Sequence, residues 1–129
     1  MKKIKTEDEY EALIHASPAL ICDFSATWCG PCKSLEPVLD KLEKTHPDIT
    51  FVKVDVDECQ DLSNRCGIRY VPTVFFVRKG RVIRKVEGWN SFESLDKLAK
   101  KLFSEHRLVG QEREGGNKKK RVGFQGSIS

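Results

Sequence analysis

Cys29 and Cys32 are separated by Gly30 and Pro31 in the run Trp28-Cys29-Gly30-Pro31-Cys32-Lys33. At that spacing two sulfurs can close a disulfide and open it again with little backbone movement. The run follows a strand-like apolar stretch, Leu20 to Ala26, and leads into a helical pattern from Cys32 to His46. Cys29 therefore falls at a helix N-terminus, where unpaired N–H groups and the positive end of the helix dipole favour an anion. The thiolate is the reactive form of cysteine, so position and residue type together suggest redox catalysis. A permanent disulfide or half of a zinc site is the alternative. Zinc needs four ligands, and no second cysteine pair at metal spacing is present, so no metal is expected. Two further residues are out of place. Asp23 is an acid inside an apolar strand, where desolvation should raise its pKa unless the position faces solvent. Lys53, between Val52 and Val54, is similarly odd unless its side chain snorkels to water.

These residues need elements to hold them. Residues 2–5 make a short strand. Thr6 caps a helix running to about His15, with Glu9 completing a capping box. Ala19 to Ala26 is a buried strand, and the next helix runs from near Gly30 to about His46 with Pro37 as a kink. Ile49 to Val56 is a β-branched strand. Cys59 to Cys66 is a short helix stopped at Gly67. A strand opened by Val71-Pro72-Thr73 runs through Val77. Lys79-Gly80 turns the chain, and Arg81 to Val86 returns as the hairpin partner. Ser91 caps a last helix with Leu95, Leu98, Ala99 and Leu102 on its apolar face. The order is β-α-β-α-β-α-β-β-α, which specifies an α/β fold. Its mixed sheet has about five strands, with parallel crossovers in the first half and an antiparallel hairpin at the end.

With 129 residues, the chain is long enough for one domain with a core of its own. No stretch can span a membrane, and no secretory signal is visible, so a reducing, cytoplasmic setting is expected. The net charge of +4 is unevenly placed. Residues 1–106 carry 17 basic and 17 acidic side chains, whereas residues 107–129 carry 6 and 2. The expected organisation is a neutral domain over 1–106 and a basic, largely disordered tail over 107–129. Lys118-Lys119-Lys120-Arg121 in that tail could serve nuclear entry or contact acidic partners. Nothing in the body suggests nucleic-acid or membrane binding.

Over residues 1 to about 106 the chain resembles the thioredoxin family, most closely its animal cytosolic members. The strongest runs are Asp23-Phe24-Ser25-Ala26-Thr27-Trp28-Cys29-Gly30-Pro31-Cys32-Lys33 and Val54-Asp55-Val56-Asp57, with Val71-Pro72-Thr73 and Gly88 in support. The resemblance implies the thioredoxin fold, with four helices about the sheet, and protein-disulfide reduction. Cys29 would attack a partner's disulfide, and Cys32, one turn in and more buried, would resolve the mixed disulfide. The resemblance places Asp23 behind Cys32 as proton acceptor and pairs Lys53 with Asp23. It also implies a cis Val71–Pro72 bond, with the Val71 backbone pairing an extended substrate segment. Trp28, Gly30, Pro31 and Gly88 would complete the substrate-binding surface. No bound cofactor is implied. Electrons would come from NADPH through a thioredoxin reductase, the partners being that reductase and disulfide-containing proteins. A monomer is expected.

Departures from the family pattern give further expectations. Tyr70 and Trp89 stand where smaller residues are common and would make the docking surface more aromatic, unless they are incidental. Cys59 and Cys66 are candidate regulatory thiols. About 10 Å of helical rise separates them, beyond the roughly 7 Å a disulfide spans, so a bridge requires the helix to unwind. Cys22 is expected to be a small core residue. Two rival functions use the same cysteines. One is a disulfide oxidase or isomerase, disfavoured by the Gly-Pro spacer. The other is a redox-sensitive binding protein whose partner recognises only the dithiol form.

Overall fold

The computed structural model describes residues 1–108, with side chains up to residue 104. The tail and its Lys118–Arg121 run lie outside the described residues. Among the described residues nine elements follow in the expected order. They are β1 (Lys2–Ile4), α1 (Glu7–Ala16), β2 (Ala19–Ser25), α2 (Gly30–Thr45), β3 (Thr50–Asp55), α3 (Gln60–Arg65), β4 (Thr73–Arg78), β5 (Arg81–Glu87) and α4 (Phe92–Leu108). The sheet order is β1-β3-β2-β4-β5. β1 and β2 run parallel to β3, while β4 is antiparallel to both β2 and β5.

Local chemistry fixes the ends. The Thr6 side chain accepts from the Glu9 N–H at 3.1 Å and so caps α1. The Glu9 carboxylate reaches back to the Lys5 N–H at 2.8 Å, one residue earlier than a reciprocal capping box requires. α2 carries Pro31 in its first turn, where the missing N–H would have no helical partner, and it continues through Pro37 to Thr45. Gly67 has φ +72° and closes α3 in the left-handed conformation that glycine adopts without strain. Lys79 and Gly80 are both at positive φ, as a two-residue hairpin loop requires.

The alternation of the central strands divides the core. On one face Leu20, Cys22, Phe24, Val52 and Val54 pack against Tyr10 and Ile14 of α1 and Leu62 of α3. Cys22 is thus the core residue expected. On the other face Ile21, Phe51, Val74 and Phe76 pack against Leu35, Leu39 and Leu42 of α2 and Leu95, Ala99 and Phe103 of α4. Asp23 and Lys53 share the strand parity of this second face, so both point to the α2 side. No helix among the described residues is long and apolar enough to cross a membrane.

Candidate active site

Parallel strands β2 and β3 both end at the edge of the sheet from which α2 starts, and the two cysteines sit there. Cys29 and Cys32 form a disulfide with Cα atoms 5.3 Å apart. Cys29 is the N-cap of α2, and its sulfur accepts from the Cys32 N–H at 3.2 Å. That N–H is one of the orphan donors of the first helical turn. It points at Cys29 and favours negative charge on that sulfur. Exposure does not separate the pair, because Cys29 is 5% and Cys32 4% accessible. The asymmetry between them lies in helix position rather than in the greater burial expected of Cys32.

Ala26, Val56 and Val71 pack around the disulfide. The Val71–Pro72 bond is cis, as the resemblance implied. The Cys29 sulfur lies 3.7 Å from the Val71 carbonyl oxygen. The Pro72 carbonyl accepts from the Gly88 N–H at 2.8 Å, and Gly88 has φ +88°. Val71, Pro72 and Gly88 therefore converge on one side of Cys29. A side chain at Gly30 would meet open space, so that position stays bare next to the disulfide.

Three large aromatics in these segments are exposed: Trp28, Tyr70 and Trp89. The Trp28 indole N–H donates to Asp57 at 2.8 Å. Asp57 is held in turn, because the buried Asp55 carboxylate accepts from the Asp57 and Glu58 N–H groups at 2.8 and 3.2 Å. The Val-Asp-Val-Asp run thus orients Trp28, a role its sequence did not disclose.

Asp23 is fully buried in β2, which excludes the solvent-facing alternative. Neither of its carboxylate oxygens has a hydrogen-bond partner among the described residues. Burial pushes its pKa up to about 7, against a smaller lowering by Lys53, with Glu36 adding to the rise. Lys53 lies opposite Asp23 in the β2–β3 register, but the expected pairing is not what forms. The Lys53 ammonium is hydrogen-bonded and ion-paired to Glu36 of α2. Both members of that pair keep part of their hydration at the surface, whereas pairing with Asp23 would bury the cation at a larger desolvation cost. Glu36 was missed in the sequence, although its i+4 spacing from Cys32 puts it on the same helical stripe. A cleft of about 370 Å³ opens here, lined by Ser25, Cys32, Lys33, Glu36, Lys53 and Asp55 among others.

Cys59 and Cys66 are not drawn into this site. They flank α3 as its two caps. The Cys59 thiol points at the Ile4 and Lys5 carbonyls, at 3.7 and 3.6 Å. Cys66 packs against the α1 side of the core. Burial pushes both thiols up. Among the described residues no group of three or more His, Cys, Asp or Glu is placed to hold a metal.

The fold and dithiol together define a thiol-disulfide exchange protein, and comparison with known proteins agrees. A sequence profile of the Thioredoxin family matches residues 1–101. A thioredoxin of Echinococcus granulosus is 47% identical over 83 residues, 64% of this chain and 78% of that protein. A thioredoxin of Equus caballus is 38% identical over 105 residues, 80% of this chain and 99% of that protein. The crystal structure of oxidised mitochondrial thioredoxin 3 from Saccharomyces cerevisiae superposes with TM-score 0.74 at 40% identity, covering 78% of this chain and 94% of that one. A further structure, 39% identical with TM-score 0.74 and covering 78% and 94% of the two chains, concerns thiol resolution in yeast mitochondrial 1-Cys peroxiredoxin by the glutathione and thioredoxin systems. The chain belongs to the thioredoxin family, whose members are thiol-disulfide oxidoreductases needing no bound cofactor.

Proposed function

We propose that the chain reduces disulfides in other proteins, with Cys29 as nucleophile, Cys32 as resolving thiol and Asp23 as proton acceptor. The observation that carries this reading is the Cys29 sulfur at the N-cap of α2, receiving the Cys32 N–H. In the reduced chain the Cys29 thiolate attacks one sulfur of a partner's disulfide. The S–S bond breaks and the partner's other sulfur leaves as a thiolate. Cys32 then gives its proton to Asp23 and attacks Cys29. The partner's second sulfur leaves, and Cys29–Cys32 becomes the disulfide seen here. The chain loses two electrons and the partner gains them.

The family resemblance supports recharging by a thioredoxin reductase that draws on NADPH. The Val71 backbone, its carbonyl 3.7 Å from the Cys29 sulfur, and the bare surface at Gly30 support docking of an extended substrate segment beside Cys29. Tyr70 and Trp89 widen that surface with aromatic contact, and Trp28 is braced for the same use. Peroxiredoxin disulfides are one substrate class, by likeness to the yeast protein. The catalytic unit is residues 1–106, acting as a monomer in the cytoplasm. The basic segment 107–129 is an appendage whose Lys118–Arg121 run also suits nuclear entry.

The test is turnover of a disulfide-bonded protein with a chemical reductant. Wild type should turn over, Cys29→Ser should not, and Cys32→Ser should accumulate the mixed disulfide with substrate. Residual turnover by Cys29→Ser would remove Cys29 from its role. The reduction potential separates reductase from isomerase, since thioredoxins as a class lie near about −270 mV and disulfide isomerases near about −180 mV.

A further inference from the structure

The ion pair between Lys53 and Glu36 has no evident structural purpose. It lies at the surface of the cleft with both side chains partly exposed, and such pairs add little stability. Its placement is nevertheless specific. Lys53 stands beside Asp23 in the β2–β3 register, and its side chain is on the same face of the sheet. Glu36 is one helical turn beyond Cys32, and both line the cleft. One ammonium thus has two carboxylates within its range, and it is bonded to the outer one. The inner carboxylate, Asp23, is fully buried with neither oxygen hydrogen-bonded among the described residues.

We propose that Glu36 is a positioning residue which, by holding the Lys53 ammonium at the cleft surface, keeps that cation off Asp23 and so sets the charge Asp23 presents to Cys32. This rests on the reading of Asp23 as the acceptor of the Cys32 proton. Asp23 is faced by Lys53 from β3 and by Glu36 from α2, and Cys32 and Lys33 of α2 line the adjoining cleft. Lys3 of β1 and Asp55 of β3 also line the cleft. From β4 its register neighbour is the uncharged Val74. The Lys53 ammonium is bonded to Glu36 on the opposite wall, and the Lys3 ammonium is taken by Glu58. A buried carboxylate that meets no cation stays protonated to higher pH and becomes a stronger base once ionised. Such a group can take the Cys32 proton near neutral pH, where a carboxylate neutralised by Lys53 would be too weak a base. The proton moves from the Cys32 sulfur to Asp23, the Cys32 sulfur bonds to Cys29, and the substrate sulfur departs as a thiolate. Glu36 takes no part in these bonds.

The measurement is the Asp23 carboxyl titration by carbon NMR on the oxidised full chain, where the disulfide removes both thiols from titration. Glu36→Gln should move the midpoint down by about one pH unit, the smaller end of the range for a newly adjacent opposite charge. In a Lys53→Met background the same Glu36→Gln change should move it distinctly less, since no cation is released. No movement, or equal movement in both backgrounds, would overturn the proposal. A kinetic arm separates it from the reading beneath it. When the reduced chain attacks an aromatic disulfide reagent, the second equivalent of thionitrobenzoate is released as Cys32 resolves. The acid limb of that step should follow the titration downward in Glu36→Gln. If the titration moves and the limb does not, Glu36 controls Asp23 as proposed, and Asp23 is not the proton acceptor.

Discussion

Asp23 is the residue at which folding and chemistry conflict most sharply. Its pKa of about 7 in the folded chain compares with an ordinary 3.8, and burial is the main cause. Between these values the folded state holds a proton that the unfolded state has lost, so stability falls as pH rises through that window. Below about pH 4 both states are protonated and the residue costs nothing through this linkage. Above about pH 7 both are ionised and the cost is complete, roughly 4 kcal/mol. Asp23→Asn should therefore be more stable than wild type at pH 8 by an amount of that order, with little difference at pH 4. Urea unfolding of the oxidised proteins at the two pH values measures this, and parallel stability curves would contradict it. That cost at neutral pH accords with the proposed use of Asp23 as a proton acceptor. The Trp28 indole illustrates the reverse case, a surface group stiffened by a chain of hydrogen bonds. Asp57→Ala removes the acceptor of the indole N–H. It should lower kcat/KM on protein disulfides several-fold while leaving the stability change within about 1 kcal/mol. Steady-state turnover together with urea unfolding would show whether the two effects separate as stated.

At the scale of elements, caps decide where the functional residues stand. Thr6 accepts from the Glu9 N–H at the start of α1, so Thr6→Ala should cost about 1 kcal/mol of stability without changing exchange rates. A thermal or urea midpoint unchanged from wild type would show the cap to be idle. α3 is the more instructive element, because Cys59 and Cys66 are its caps. The helix between them sets their separation at about 10 Å by rise, and a disulfide reaches only about 7 Å between Cα atoms. Both thiols are also pushed up by burial, which keeps them protonated and slow to react at neutral pH. Mild peroxide should consequently give no 59–66 bridge under native conditions, while enough urea to open α3 should permit one. Peptide mapping by mass spectrometry reads the outcome directly. A bridge formed without urea would mean that α3 opens on its own and that the two thiols are a working switch.

For the molecule as a whole, periodicity carried most of the architecture. Alternating β2 and β3, the α2 pattern after Cys32 and the Lys79-Gly80 turn all specify their elements locally, so five strands and four helices were legible among the described residues. The dithiol was legible for the same reason, since its spacing and its helix lie within one short segment. The Lys53–Glu36 pair was not, because it joins α2 to β3 and depends on which of two carboxylates offers the cheaper burial, a comparison that exists only once the layers have packed. The equal burial of Cys29 and Cys32 was hidden likewise, since Val71 reaches them from a distant part of the chain. Charge is the one global property that the sequence displays more fully than the described structure does. Acidic and basic groups balance over residues 1–106, and the excess of four positive charges belongs to residues 107–129. We expect long-range attraction of an acidic partner to come chiefly from that segment and to weaken as salt shortens the screening length to about 8 Å at physiological ionic strength. Replacing Lys118, Lys119, Lys120 and Arg121 together by alanine removes an amount equal to the whole excess. At low salt this variant should reduce an acidic disulfide protein with kcat/KM lowered several-fold and kcat unchanged, because steering acts on encounter. On a basic substrate the same change should raise kcat/KM, and at high ionic strength the two proteins should converge. Equal rates for variant and wild type on both substrates at low salt would confine the determinants of partner choice to the surface around Cys29.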